Sequence, residues 1–232
     1  MGNNILYVGL IANNGFCTIE VLENKIQYNL KENATGYLNV LAVNNENYKK
    51  NDIIINGRIK SLQNMENNLN NYDETRFEEN NITINGKISY LLEGYNFCNN
   101  KVYITQGILI EDGVTPSIFR YTKDIYRKIN INNNEIIIEN SNEWQERTIK
   151  MFLFYDIALN NYDIDICNNK IIANTTKKQD LIIMNNIKDT ESQKIYFKNN
   201  DYGVFKVIAL PFRNIHKVII NDIEITEETV LD

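Results

Sequence analysis

The sequence predicts a mainly β protein made of antiparallel β-sandwich modules with one short helix. Three observations support this class. β-branched and aromatic residues alternate with polar residues over many short stretches. Asparagine-rich turn signals separate these stretches. No strand, long helix and strand follow one another, as Rossmann and TIM-barrel folds require. Short strands at close spacing favour an antiparallel sandwich over an α/β fold.

The first predicted element is a hairpin with one solvated face. Residues 17–21 and 26–30 each alternate between apolar and polar side chains, and the turn is expected at Glu23 and Asn24. Residues 37–43 form a further, more apolar strand.

Two internally similar segments follow, residues 51–59 and 80–88, which are 29 residues apart. Each contains Asn-Gly between β-formers (Asn56-Gly57 and Asn85-Gly86), a strong signal for a type I′ hairpin turn. Because a solenoid normally needs three or more copies, the pattern predicts two similar hairpins and no repeat array. Between them, Leu62, Met65 and Leu69 have helical spacing and predict the one short helix, residues 61–70.

The predicted domain boundary lies where a turn signal, a proline and small residues coincide, at Val114-Thr115-Pro116-Ser117. It divides the chain into an N-terminal β domain, residues 1–113, and a C-terminal β-sandwich domain, residues 114–232. The remaining strands are expected at residues 101–110, 118–131, 135–138, 147–157, 162–166, 181–184, 194–198, 204–210 and 217–225. The last of these is a hairpin that turns at Asn221-Asp222.

Composition argues against several functions. The 232 residues have a formal net charge of −6, and this acidity argues against a nucleic-acid groove, which needs a basic face. The sequence has no run of 18 apolar residues that would predict a membrane span, and residues 5–12 lack the features of a secretory signal.

The three cysteines, Cys17, Cys98 and Cys167, are odd in number and widely spaced, and they predict reduced and buried thiols. No glycine-rich phosphate loop or metal motif occurs in the sequence, so no cofactor is expected.

Asparagine and isoleucine are unusually frequent, at about 41 and about 37 residues. With few prolines and an excess of lysine over arginine, this usage follows A/T-rich codons. Much of the asparagine is therefore interpreted as a property of the genome. Blocks such as Asn132-Asn133-Asn134 are expected at turns, because asparagine adopts the left-handed conformation readily.

Few residues are candidates for catalysis or metal binding. His216, the single histidine, has a suitable side chain for a general base, but a packing or surface role is the preferred interpretation. Asp163 and Asp165 share one face of a predicted strand, with Asp156 upstream. Such carboxylates are able to bind Ca²⁺ or to form a glycosidase pair, although a solvated strand face explains them more simply. No catalytic, cofactor-binding or metal site is therefore predicted, and the protein is not expected to be an enzyme.

Trp144 is the one candidate interface residue. It lies in the polar segment 141–146, where partial exposure is expected, and tryptophan is enriched among interface hot spots.

Segments such as residues 4–10, 51–59 and 150–156 give the chain a resemblance to structural proteins of tailed bacteriophages or phage-tail-like particles from A/T-rich hosts. The resemblance extends over the whole chain but includes no defining motif, so no functional residue is transferred. It implies a baseplate, tail or head–tail connector component, part of a virion assembled in the bacterial cytoplasm. The implied partners are other structural proteins of the particle and further copies of the chain, without nucleic acid or membrane insertion.

Two alternatives remain. A carbohydrate-binding or receptor-binding β-sandwich module requires an exposed aromatic platform or a groove lined by Asn and Asp. A glycan-acting enzyme requires two carboxylates about 5–9.5 Å apart in a cleft.

Overall fold

The structure is a computed structural model that describes part of the chain. The described residues are 6–7, 19–30, 38–39, 46–59, 61–62, 76–91, 96–108, 117–121, 128–139, 150–154, 157–158, 164–174, 180–183, 187–188, 194–203, 206–209, 218–225 and 229–231. Every regular element among them is a β-strand.

Most strands belong to three sheets that the chain visits repeatedly in the same order. Sheet I contains β2 (Ile19–Leu22), β5 (Glu46–Lys49), β7 (Arg76–Glu78), β9 (Asn96–Cys98), β12 (Ile129–Asn132), β16 (Ile164–Cys167), β20 (Lys194–Lys198), β22 (Val218–Ile220) and β23 (Ile223–Ile225). Sheet II contains β3 (Lys25–Asn29), β6 (Asp52–Asn56), β8 (Asn81–Asn85), β10 (Lys101–Ile104), β13 (Glu135–Ile138) and β17 (Lys170–Ala173). Sheet III contains β11 (Ser117–Tyr121), β14 (Lys150–Phe154), β18 (Asp180–Ile183), β21 (Lys206–Ala209) and β24 (Thr229–Leu231).

Two small sheets complete the set. β1 (Leu6–Tyr7) pairs with β4 (Leu38–Asn39), and β15 (Ile157–Ala158) pairs with β19 (Ile187–Lys188). Both pairs are parallel.

Adjacent strands in the three sheets are almost all parallel, so the predicted antiparallel β-sandwich is wrong. β3 pairs in parallel with β6, β6 with β8, and β8 with β10. Each strand's partner is the equivalent strand one circuit later, and the chain therefore winds as a solenoid in which each coil stacks on the previous one. The alternating pattern that predicted strands is the same for parallel and antiparallel pairs, so it could not decide between them.

The two similar segments are neighbouring coils of this solenoid. Asp52 pairs with Asn81 and Asn56 with Asn85, so the 29-residue offset seen in the sequence is the register of β6 on β8. Neither Asn-Gly pair turns a hairpin. Gly57 has φ of 128°, and a Cβ on Gly86 would lie 2.0 Å from the Gly57 carbonyl oxygen. The glycines are needed because the backbones of successive coils approach closely here.

The first predicted hairpin is also wrong, whereas the last is confirmed. Glu23 does lie at a bend, with φ of 55°, but β2 and β3 on either side of it belong to different sheets. β22 and β23 form an antiparallel pair. Asn221 and Asp222 between them have φ of 52° and 65°, as a type I′ turn requires.

The interior consists of side-chain columns that run along the solenoid. Tyr48 stacks on Phe77, with ring centroids 5.1 Å apart, and Phe77 lies 6.0 Å from Phe97. The column beneath sheet I comprises Val21, Tyr48, Phe77, Phe97, Ile131, Ile166 and Phe197. A column beneath sheet II comprises Ile26, Ile53, Ile82, Val102, Ile136 and Ile171. These columns form part of the hydrophobic core.

No helix occurs among the described residues. Of the predicted helix 61–70, only Ser61 and Leu62 are described, and both are buried without helical structure. The remainder lies outside the described residues, as does the predicted boundary at residues 114–116. Sheets I and II each contain strands from both sides of that boundary, because β9 pairs with β12 and β10 with β13.

Candidate functional site: the outer face of sheet II

Within the described ranges, a ladder of seven asparagines connects sheets I and II at the bend between them. In each coil an asparagine follows a residue in the left-handed conformation. The ladder consists of Asn24, Asn51, Asn80, Asn100, Asn134, Asn169 and Asn200. The left-handed residues that precede them are Glu23, Lys50, Glu79, Asn99, Asn133, Asn168 and Asn199.

Asn100 shows how the ladder is bonded. Its Nδ2 donates to the Phe77 carbonyl oxygen (2.9 Å) and to Asn134 Oδ1 (3.2 Å). Its Oδ1 accepts from the backbone N and from Nδ2 of Asn80, both at 3.0 Å. Each buried amide thus links three successive coils and satisfies its own polar atoms. The ladder fixes the register of the coils, and so it places the side chains on the outer face of sheet II in straight rows.

The first of these, the charged row, alternates in sign along most of its length. Its members, in coil order, are Lys25, Asp52, Asn81, Lys101, Glu135, Lys170 and Asp201. Asn81 Nδ2 donates to Asp52 Oδ1 at 2.9 Å, and Lys170 Nζ lies 3.5 Å from Glu135. Among the described residues, no ion pair within the chain involves Lys25 or Lys101.

The second, the apolar row, runs beside the charged row. It comprises Gln27, Ile54, Thr83, Tyr103, Ile137 and Ile172. Ile54 and Tyr103 are each 39% exposed, and Ile137 and Ile172 are half-buried. Aligned apolar side chains on a flat sheet face are typical of interaction surfaces.

The third, the amide row, lies on the far side of the apolar row. It comprises Asn29, Asn56, Asn85, Thr105, Glu139 and Asn174. Asn56 Nδ2 donates to Asn29 Oδ1 and Asn85 Nδ2 to Asn56 Oδ1, both at 2.7 Å. Asn174 donates to Glu139. Because neighbouring coils are spaced about 4.8 Å apart, the charged row with its seven members spans about 29 Å, and the other two rows with six members each span about 24 Å.

A second cluster of charges lies on the opposite side of the bend, beside a cavity of about 420 Å³ on sheet I. Lys49 Nζ lies 3.2 Å from Glu79 and 3.7 Å from Glu78, and Lys50 Nζ lies 3.8 Å from Glu23. The hydrogen bond to Glu79 and its charge, with Glu78, raise the pKa of Lys49. Each carboxylate here is ion-paired with a lysine at an exposed position, an arrangement common on protein surfaces and worth little to stability.

The predicted site residues are not brought together. Asp165 is described: it is half-buried on the outer face of sheet I, and Lys128 Nζ lies 2.6 Å from its carboxylate. Trp144, His216, Asp156 and Asp163 lie outside the described residues. Within the described ranges, no three His, Cys, Asp or Glu side chains are grouped as metal ligands would be.

Both described cysteines, Cys98 and Cys167, are free thiols. They are half-buried on the outer face of sheet I, although the sequence predicted buried thiols; Cys17 is not described. Burial is the main cause that raises the pKa of the Cys98 thiol, which keeps it protonated at neutral pH.

The ladder asparagines do not stand out in the sequence, because codon usage explains the high asparagine content without any structural role. The segments around the ladder asparagines nevertheless share a six-residue pattern. It begins with an apolar residue, any residue and the left-handed residue, and it continues with Asn, any residue and a second apolar residue. The seven ladder segments all fit this pattern: 21–26, 48–53, 77–82, 97–102, 131–136, 166–171 and 197–202. The ladder asparagines of neighbouring coils are 27, 29, 20, 34, 35 and 31 residues apart, and this uneven spacing hides the repeat from a search for a fixed period.

No protein-family model, curated protein or solved structure matches the chain. The part of the chain that the structure describes contains no helix with the length and hydropathy needed to cross a membrane.

Proposed function

We propose that this chain is a non-enzymatic structural protein that joins other chains in a larger particle. The observation that supports it is the outer face of sheet II, where an apolar row that includes the exposed Ile54 and Tyr103 lies between a charged row and an amide row over about 24 Å. A face of this kind is suited to an extended protein contact, in which the apolar centre supplies affinity and the polar rows fix register.

The interior supports the same function. Isoleucine and aromatic columns fill the space between the sheets, and the asparagine ladder ties the coils together. Such a body is suited to a rigid element of fixed length. With the sequence resemblance described above, a component of a phage virion or phage-tail-like particle, assembled in the bacterial cytoplasm, is the most specific form of the proposal. Trp144 remains a candidate contact residue in this scheme.

The test is incorporation into particles made by the cells that encode the chain. A tagged wild-type chain is expected to co-purify with a large assembly. Ile54→Lys on the outer face of sheet II is expected to lower its recovery by about tenfold, because a charge is placed in the apolar row. Leu22→Lys is the matched control, since Leu22 is 46% exposed on sheet I. Failure of the wild-type chain to enter any assembly contradicts the proposal.

A carbohydrate-binding module is the second candidate, and one observation favours it. Tyr103 is 39% exposed at the centre of the sheet II face, next to the amide row. An aromatic ring stacks on sugars while amides bind their hydroxyl groups. Glycan-array binding that Tyr103→Ala abolishes, but Leu22→Ala does not, would support this function. An array with no bound glycan argues against it.

A further inference from the structure

The charged row is complementary to itself when its order is reversed. Read from the first coil it is positive, negative, neutral, positive, negative, positive, negative. Read from the seventh coil it begins negative, positive, negative, positive. When the two orders are aligned, Lys25 lies opposite Asp201, and Asp52 lies opposite Lys170.

A single symmetry operation produces this alignment. A two-fold axis parallel to the strands, placed between two copies, superimposes each row on the same row of the partner and reverses the coil order. Such an interface is isologous, so each pairing between different residues occurs twice. The two copies then form four pairs of opposite charge, two from Lys25 with Asp201 and two from Asp52 with Lys170.

The other rows fit the same arrangement. In the apolar row, Ile54 lies opposite Ile172 and Tyr103 lies opposite Tyr103 on the two-fold axis. In the amide row, Asn56 lies opposite Asn174 and Asn85 lies opposite Glu139, so amide donors meet oxygen acceptors. The pair of Lys101 side chains at the axis is like-charged, but each has the partner's Glu135 one coil away.

Charge disfavours the registers that slip by one coil. A slip of one coil in one direction places Lys25 opposite Lys170 and Asp52 opposite Glu135. The opposite slip places Asp52 opposite Asp201, which offsets the opposite charges it brings together at Lys101 and Glu135. A slip of two coils that places Asp52 opposite Lys101 keeps opposite charges together. However, it leaves two of the seven coils without a partner, and one of these is the coil that contains Ile172. The full-length register forms the same number of opposite-charge pairs as the two-coil slip and also gives Ile172 a partner.

We propose that the outer face of sheet II binds the same face of a second copy of this chain, with the two solenoid axes antiparallel. The inference rests on the proposed function, because it names a second copy as the first partner of that assembly face.

A charge-swap series with the purified full-length chain tests the proposal. Analytical ultracentrifugation is expected to show a dimer whose dissociation constant rises by about tenfold or more for Asp52→Lys and for Lys170→Asp, since each change replaces two attractive pairs with two repulsive ones. Asp52→Lys with Lys170→Asp restores opposite charges and is expected to restore the dimer. In the two-coil slip Lys170 has no partner, so Lys170→Asp would have no effect and the double variant would not recover.

The fold of each variant is checked by its free energy of unfolding, because Lys170 also pairs with Glu135 within the chain. A wild-type chain that is monomeric at all concentrations overturns the proposal. Loss of the dimer in both single variants without recovery in the folded double variant overturns the proposed register.

Cross-linking gives an independent test. With the three native cysteines replaced by serine, Tyr103→Cys places one thiol on each side of the two-fold axis, with the sheets about 10 Å apart. A bismaleimide of that span is expected to link the two copies. Gln27→Cys is the matched control on the same row: it lies about 29 Å from the same position in the partner and is not expected to cross-link. Equal cross-linking of both variants contradicts the arrangement.

The two proposals fail in different experiments. If the chain enters particles but is monomeric in isolation and Tyr103→Cys does not cross-link, the dimer proposal alone fails. If the chain dimerises through this face but enters no particle, the particle function fails and the dimer interface stands.

Discussion

At the scale of single residues, the buried asparagine amide is the most consequential group in this protein. Asn80, Asn100 and Asn134 are almost fully buried and bond to one another across coils. A buried polar atom that loses its partner costs about 1–3 kcal/mol. The ladder position is therefore expected to tolerate neither an apolar nor a charged residue in place of Asn. The left-handed position before it is less restricted, since it is occupied by Glu, Lys or Asn.

Asn100→Ala is expected to lower the free energy of unfolding by about 3 kcal/mol or more. The change leaves the Asn80 backbone N and Nδ2 without their acceptor and removes a donor from the Phe77 carbonyl oxygen. Urea unfolding measures the loss. Asn85→Ala, on the exposed amide row, is the control and is expected to cost less than about 1 kcal/mol. Equal losses for the two variants would contradict a special role for the ladder.

Tyr202 is a second residue with a testable consequence. Burial, with a smaller contribution from the charge of Cys167, raises the pKa of Tyr202 well above its usual value near 10. The unfolded chain therefore releases this proton at a lower pH than the folded chain. The stability that Tyr202 contributes is present below pH 10 and is lost as the pH rises above 10.

Tyr202→Phe is expected to reduce this alkaline loss, measured as the free energy of unfolding at pH 7 and pH 11. At pH 7 the variant is expected to be as stable as the wild type, or more stable by up to about 2 kcal/mol. The reason is that, within the described part of the chain, the Tyr202 hydroxyl is buried without a hydrogen-bond partner. A large destabilisation at pH 7 would show that the hydroxyl is bonded after all.

At the scale of strands and bends, stability depends on how closely successive coils approach. β6 and β8 are in register over five residue pairs, and the backbone at Gly86 passes directly over Gly57 in the preceding coil. The interior columns also require a fixed spacing between coils, because the Phe77 ring contacts the rings of Tyr48 and Phe97 in the neighbouring coils.

Gly86→Ala is expected to destabilise the protein by about 1–3 kcal/mol, the usual cost of overpacking. The added Cβ would lie 2.0 Å from the Gly57 carbonyl oxygen, and a backbone atom cannot move aside as a side chain does. Thermal unfolding monitored by circular dichroism checks the result. Gln106→Ala, at an exposed position of the neighbouring coil, is the control and should leave the transition midpoint nearly unchanged.

At the scale of the whole molecule, the solenoid has a long side face and strands that terminate its sheets. Parallel stacking ends in antiparallel pairs: β23 on β22 in sheet I, and β24 on β21 in sheet III. A sheet edge with unpaired backbone groups is a template for association with another chain. β22 therefore covers the edge of β20, and β24 covers the edge of β21.

Deletion of residues 218–232 is expected to produce concentration-dependent association through strand edges, because the edges of β20 and β21 become available. Light scattering measures the change in mass. The deletion is made in the Asp52→Lys chain, so that association through sheet II does not contribute. A truncated chain that is folded and has the same mass as its full-length counterpart would show that these strands are not needed as a cap.

The sequence by itself determined that the chain is built from short strands and which residues alternate. It also located the left-handed turn asparagines such as Asn133 and the hairpin at Asn221-Asp222, because these features depend on neighbouring residues. Tertiary structure decided that β3 pairs with β6 instead of β2, and that Asn100 is a buried ladder residue. The physical reason is range: parallel partners lie 20–35 residues apart, and an alternating strand has the same pattern whichever strand it meets. The self-complementary face of sheet II follows from that stacking, since its rows exist only when the coils are in register.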